Sequence, residues 1–277
     1  METSYYGKGL PINISAHGPQ IDNLINIVQV FMIVLFVGWF AFMLYTLWRF
    51  RARPGHQANY VLPKFRAPSY LEVGVALFEV FLLVALSMPV VHRLKEEFPR
   101  SENSAQVRVI AQQFAWNIHY PGADGKFGRT DPSFVDESVN PLGRDPEDPA
   151  GKDDITTINQ FVIPVHKPVT IFLTSKDVLH SFFLPVARVK QDAIPGEMVP
   201  LWFEPVVEGQ FEIACAQLCG ANHYRMRGDF IVKSQQGYEQ WLEQKAASMS
   251  NLNKPIEKDE FEAEEFGDDA FGDDAFE

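Results

Sequence analysis

The chain has 277 residues, enough for one sizeable domain with appendages, and its mean hydropathy is slightly negative, which excludes a chain built mainly of membrane spans. Its formal charge of −12 is unevenly placed: residues 257–277 hold eleven acidic side chains and a single lysine, a net of −10. The remainder is nearly neutral, with no basic excess to recruit nucleic acid, and no Cys-x-x-Cys-His run is present to attach a haem covalently, so no haem is expected on this chain.

Residues 1–22 read as an external N-terminal segment. They lack a basic stretch followed by an apolar core, so no cleavable signal is expected. From Asn23 to Trp48 no charged side chain occurs, and Val30 to Leu47 is almost wholly apolar. At about 1.5 Å per helical residue such a run crosses a hydrocarbon core of about 30 Å, which predicts a transmembrane helix over about 23–49. A second apolar run, Leu71 to Val91, begins beside Glu72, contains Glu79 and carries Pro89 near its end. It predicts a second helix over about 70–93, making residues 23–95 a transmembrane hairpin anchored in lipid. The connection bears Arg49, Arg51, Arg53, Lys64 and Arg66 with no acid. By the positive-inside rule that loop is cytoplasmic, and both termini lie on the external, periplasmic side.

Residues 104–247 read as an external β-rich domain. Val107 to Tyr120 could hold one long strand or two. Thr157 to Ile163, Val169 to Thr174, Val199 to Phe203, Phe211 to Ala214 and Asp229 to Val232 are further strand-like runs, punctuated by turn pairs such as Pro121-Gly122 and Pro195-Gly196. Short strands without intervening helices predict a sandwich or barrel. Gly128 to Asp154 is polar and rich in Pro, Asp and Gly, a surface excursion, and Tyr238 to Ala247 predicts a short terminal helix. Residues 248–277 form an acidic tail that repeats Phe266-Gly267-Asp268-Asp269-Ala270 as Phe271-Gly272-Asp273-Asp274-Ala275. It has too little apolar surface for a core, and reads as disordered when free or as a partner-docking segment.

The chemistry concentrates in Cys215-Ala216-Gln217-Leu218-Cys219-Gly220-Ala221-Asn222-His223-Tyr224-Arg225-Met226, with His180 standing 35 residues upstream of Cys215. Thiolate, thioether and imidazole together suit copper. Two other readings of these residues stay open: a zinc site built from two Cys and two His, and a Cys215–Cys219 disulfide, whose small ring would add little stability. Neither uses Met226. A single blue-copper ion needs one Cys, so the second favours two bridged ions.

This loop resembles the Cys-x-x-x-Cys-Gly-x-x-His-x-x-Met run of the two-copper (CuA) centre in cytochrome c oxidase subunit II. Asp177-Val178-Leu179-His180-Ser181-Phe182, Lys190-Gln191-Asp192-Ala193-Ile194-Pro195-Gly196 and Gln113-Phe114-Ala115-Trp116 are similar to flanking signatures of that family, over roughly residues 20–245. The resemblance implies a two-helix hairpin carrying a cupredoxin-like β-sandwich or barrel, an α+β membrane protein of the bacterial inner membrane. It implies two copper ions bridged by Cys215 and Cys219, with His180, His223, Met226 and the backbone carbonyl of Gln217 completing the ligands. It also implies that electrons arrive from a c-type cytochrome and leave for the haem of oxidase subunit I, among other oxidase subunits, in a proton-translocating oxidoreductase whose oxygen chemistry lies in the partner.

Three positions depart from the family pattern or extend it. Gln217 replaces the glutamate that helps bind magnesium at the subunit interface, so weak or absent magnesium is expected. Phe114 replaces the tryptophan of electron input, and Trp116, two residues on, becomes the candidate, with ordinary core packing as its rival. Glu72 aligns with a glutamate at the mouth of a proton-uptake channel. From another functional class, a membrane-anchored copper-delivery protein would need an exposed, exchangeable site holding one metal.

Overall fold

A computed structural model describes residues 9–252 apart from 56, 58–60, 62–64 and 138; the repeat tail lies outside them. Helix α1 spans Gly18–Arg49, 32 residues and so about 48 Å. Pro19 in its first turn fits because an N–H there has no helical partner. Helices α2 (Ala67–Phe81) and α3 (Met88–Glu96) are joined by a π-helical segment, Leu82–Ser87, into one 30-residue rod. The widened segment ends just before Pro89, which cannot donate the i→i−4 bond and would crowd the preceding turn of a regular helix. The two rods touch through Phe31 and Phe78, ring centroids 4.9 Å apart. Otherwise both present apolar side chains outward, among them Phe36, Trp39, Leu77 and Phe81. An apolar exterior on rods of this length is the surface that a bilayer covers.

The external domain is a sandwich of two five-stranded sheets. One has the order β3-β2-β1-β5-β8: β1 Ala105–Gln112, β2 Ala115–Tyr120, β3 Ile155–Ile158, β5 Val169–Ser175 and β8 Val199–Phe203. The other runs β4-β10-β9-β6-β7: β4 Gln160–Pro164, β6 His180–Leu184, β7 Val189–Ala193, β9 Gly209–Cys215 and β10 Arg227–Lys233. Strict alternation in Ala105–Gln112 puts Ala105, Val107, Val109 and Ala111 inside. Between the sheets lies an aromatic core of Trp116, Phe161, Phe182, Phe203, Phe211 and Phe230. Tyr120 is fully buried, its Oη accepting the Val162 N–H at 2.8 Å, and Trp241 of helix α4 (Gln235–Leu252) packs on its ring at 5.1 Å.

Several strand boundaries differ from the sequence reading. The apolar run over 157–163 is two strands in different sheets, because Asn159 turns the chain at φ 55°. Asn159 Oδ1 accepts from Trp116 N, its own N–H donates to Trp116 O, and its carbonyl accepts from Asp229 N, so one residue ties both sheets at the corner. Strands β6 and β7 carry polar residues at Ser181, Lys190, Gln191 and Asp192 and give no clean alternation. The terminal helix starts three residues earlier than the pattern suggested. The excursion over 128–154 folds on itself through the bridges Thr130–Arg144 and Asp136–Asn140 and buries Asp154 against His119 at 2.6 Å.

The N-terminal segment is part of the sandwich. Ile14 is fully buried; its N–H donates to Val186 O and its carbonyl accepts from Val206 N, while Ala16 N donates to Glu204 O. Ser15 pairs with Pro205 as an added bridge on the same edge.

Candidate metal centre

The strand register assembles the centre. Antiparallel pairing sets Phe182 opposite Cys215 and Phe183 opposite Ala214, so His180 at the start of β6 and Cys215 at the end of β9 meet at one end of the sandwich. The loop from Cys215 to Met226 is closed at its base by Cys215 N donating to Met226 O, and is tied to β6 by Ala216 N donating to Ser181 O. A tight turn over His223–Arg225 folds His223 and Met226 back over the cysteines.

Within this loop the sulfurs of Cys215 and Cys219 lie 3.8 Å apart and are not bonded to each other; a disulfide requires about 2.05 Å. His180 Nδ1 is 4.0 Å from Cys215 Sγ, His223 Nδ1 is 3.6 Å from Cys219 Sγ, and Met226 Sδ is 3.7 Å from Cys219 Sγ. The Gln217 carbonyl stands 3.2 Å from Cys215 Sγ. Ligand atoms of His180, Cys215 and Cys219 all fall within 4.8 Å of one another, as one metal-holding cluster requires. The whole predicted ligand set is thus gathered in one place. His180, Cys219 and Met226 are buried, Cys215 and His223 half-buried, and Gln217 exposed.

Two further residues order the centre, and sequence reading missed their roles. Asp177 accepts from His180 Nε2 at 2.9 Å and from Gln113 N at 2.7 Å. With Nε2 so engaged, the His180 lone pair at Nδ1 faces the sulfur, the arrangement that fixes a ligating imidazole. Gln113 Nε2 donates to Cys219 O at 2.6 Å, holding the loop from the opposite sheet. The signal for Asp177 was its spacing, three residues before a ligand in a tight turn; for Gln113 there was none, since its partner is 106 residues away.

As thiols the cysteines are unequal. Burial opposes ionisation of Cys215, but hydrogen bonds from His180, Ser181 and the loop outweigh it and bring its pKa to about 6. Burial and then the charge on Cys215 push Cys219 up to about 11. Burial would lower His180, yet its bonds to Cys215 and Asp177 raise it.

Trp116 is completely buried, edge-on to His180 at 6.2 Å and to Phe182 at 5.3 Å between ring centroids. Its ring has no exposed surface, whereas Leu218 and Tyr224 in the ligand loop are exposed. Phe114, half-buried, packs beside Gly220. Glu72 lies on α2, exposed, 24 residues before the end of α3 and hence about 36 Å along the rod from the sandwich end; it is not part of this cluster. A cavity of about 980 Å³ between the first sheet and the excursion touches the centre only through Asp177 and Gln113.

Residues 106–234 match the family model described as cytochrome c oxidase subunit II, periplasmic domain. The alternative cytochrome c oxidase subunit 2 of Bradyrhizobium diazoefficiens is 34% identical over 246 residues, 88% of this chain and 87% of that protein. The chain belongs to the cytochrome c oxidase subunit II family. Cytochrome c oxidase subunit 2 of Cereibacter sphaeroides is 30% identical over 261 residues, 90% of this chain and 84% of the relative. Among solved structures, the periplasmic domain of subunit II of cytochrome oxidase of Bradyrhizobium japonicum is similar, at 28% identity and a TM-score of 0.40, covering 54% of this chain and 97% of that one. Membership makes the protein a subunit of an oxidoreductase with a periplasmic domain, and makes His180, Cys215 and Cys219 a candidate copper site of the CuA kind. It does not favour a copper carrier.

Proposed function

We propose that this chain holds two copper ions and is the electron-input subunit of its oxidase, receiving electrons from a c-type cytochrome for the haem of subunit I. The observation that carries the reading is the pair of unbonded sulfurs, 3.8 Å apart, with an imidazole nitrogen beside each. Two thiolates in that relation can bridge two soft ions, His180 and His223 can each serve one, and Met226 and the Gln217 carbonyl provide weak outer donors. Bound there, the copper pair would supply a one-electron carrier. The protein's own contribution is rigidity: Asp177 fixes His180, Gln113 fixes the Cys219 backbone, and Cys215 N–Met226 O closes the loop, so the donors need not move as charge changes.

Orientation follows from charge. The Arg49–Arg66 connection faces the cytoplasm, and the sandwich faces the periplasm at the surface of a bacterial inner membrane. Glu72 then stands near the proton-supplying side, and Glu72→Gln is expected to slow proton uptake in the assembled oxidase. The neutral amide of Gln217 is a poor ligand for magnesium; Gln217→Glu should raise Mn²⁺ binding at the interface with subunit I, read by electron paramagnetic resonance.

The deciding experiment loads the full-length protein with copper and measures metal content and electron paramagnetic resonance. Two coppers per chain with one electron shared equally by both supports the proposal. One copper with a localised signal, or zinc, overturns it.

A further inference from the structure

The hairpin that carries His180 is bolted to the membrane helix at its other end. Strand β6 runs from His180 at the metal centre to Leu184, about 13 Å away at 3.3 Å per residue. The turn Pro185–Ala187 follows, and then Arg188 leads into β7, which pairs back so that Ala193 lies opposite His180. Arg188 has φ 57°, a left-handed backbone that a non-glycine residue adopts only against resistance. Its side chain, 8% exposed, is fully engaged. Nε donates to Asp22 Oδ1 at 2.6 Å and a terminal nitrogen to Asp22 Oδ2 at 3.0 Å, a two-pronged grip on the second turn of α1. The remaining N–H groups reach Pro11 O at 2.6 Å, Pro185 O at 2.7 Å and Ile12 O at 3.3 Å.

One side chain therefore joins three parts of the chain: the β6–β7 turn, the N-terminal segment and the transmembrane helix. Only strand β6 and the turn Pro185–Ala187 lie between this junction and His180. Glycine would suit the backbone better at this position, so the side chain is what the position uses. We propose that Arg188 is a positioning residue for the oxidase reaction, holding the metal centre at a fixed height and angle over the membrane helices through Asp22. Electron tunnelling falls steeply with distance, so a centre free to rock against its acceptor would transfer more slowly even with its ligands intact.

The inference rests on the proposed two-copper function. Its test uses the assembled oxidase carrying Arg188→Gly, which relieves the backbone and removes the clamp, and Asp22→Asn as an independent route to the same loss. Both are expected to keep wild-type copper content and the shared-electron spectrum, while flash-initiated electron transfer from copper to haem slows at least threefold. Amide exchange over Pro11–His17 should rise in step. The exchanged pair Arg188→Asp with Asp22→Arg should recover part of the rate. Unchanged transfer in Arg188→Gly, or slowing only in proportion to lost copper or lost subunit I, overturns the positioning role. Absence of the shared-electron spectrum in the unmodified oxidase would instead defeat the two-copper reading itself.

Discussion

Cys219 is the residue around which the other donors collect: Cys215 Sγ, His223 Nδ1 and Met226 Sδ all lie within 3.8 Å of its sulfur. Residue identity and spacing made this set legible before any fold was known, because soft donors packed into twelve residues have few other uses. Trp116 is different. Its sequence position suggested a place on the path of electrons, whereas its complete burial gives it a core function at least, with an indole Nε1 that has no hydrogen-bond partner among the described residues. Trp116→Phe should therefore lower stability by roughly 1–3 kcal/mol, seen as a lower denaturation midpoint of the external domain. Its effect on electron input separates the two roles: input unaltered at matched copper content leaves packing alone, and slower input makes Trp116 an interior step toward His180. Alternation in a strand was enough to place its face but not its depth.

At the level of elements, the ligand loop depends on the partners of its backbone. Gly220 has φ 134°, and a Cβ there would come within 2.7 Å of Gln113 Nε2 and 3.1 Å of Phe114 Cζ. Gly220→Ala should cost about 1–3 kcal/mol in strain and loosen Cys219, so that copper retention against a competing chelator falls while β-sheet circular dichroism is kept. The N-terminal segment makes a second prediction at this scale. Ile14→Ala removes a fully buried side chain from the sandwich core and should destabilise the external domain by about 2–5 kcal/mol, measured by denaturant unfolding. A fragment beginning near residue 100 loses the same contacts and should be less stable than the domain within the full chain. Neither effect was legible in sequence: the alternation Ile12-Asn13-Ile14-Ser15 is too short to mark a strand, and the partners of Ile14, Val186 and Val206, lie more than 170 residues away.

Across the whole molecule, two histidines outside the metal centre are buried away from it. Burial lowers His17 to about 4, where its ring packs against Trp202 at 5.9 Å. Burial also lowers His119 in spite of the nearby Asp154 carboxylate. Each binds its proton more weakly folded than unfolded, so the unfolded chain takes up more protons as pH falls below 6.5. The contribution of His17 should be level above about pH 7 and be lost between 6.5 and about 4, by at most about 1.4 kcal/mol per pH unit, with His119 adding a loss of the same sign below 6.5. Asp177, whose burial is outweighed by hydrogen bonds from Gln113, His180 and Val178, has a lowered pKa and adds a loss below that range. Thermal unfolding of the oxidase subunit against pH checks this, and His119→Gln should flatten the slope; a slope that persists unchanged assigns it elsewhere.

By itself the sequence determined the membrane hairpin, the β-rich class of the external domain and the chemical character of the metal centre. Each is written in contiguous residues: charge-free apolar runs, turn-punctuated short strands, and twelve residues holding four donors. Only the tertiary structure decided how Asp177 and Gln113 order those donors, how Asn159 divides one apolar run between two sheets, and how Ile14 and Arg188 tie the domain to its anchor. These depend on contacts between residues far apart in the chain, and in part on left-handed backbones at Asn159 and Arg188 that no local preference announces. Local chemistry travels with the sequence, whereas the position of the sandwich against its own helices is set by long-range packing.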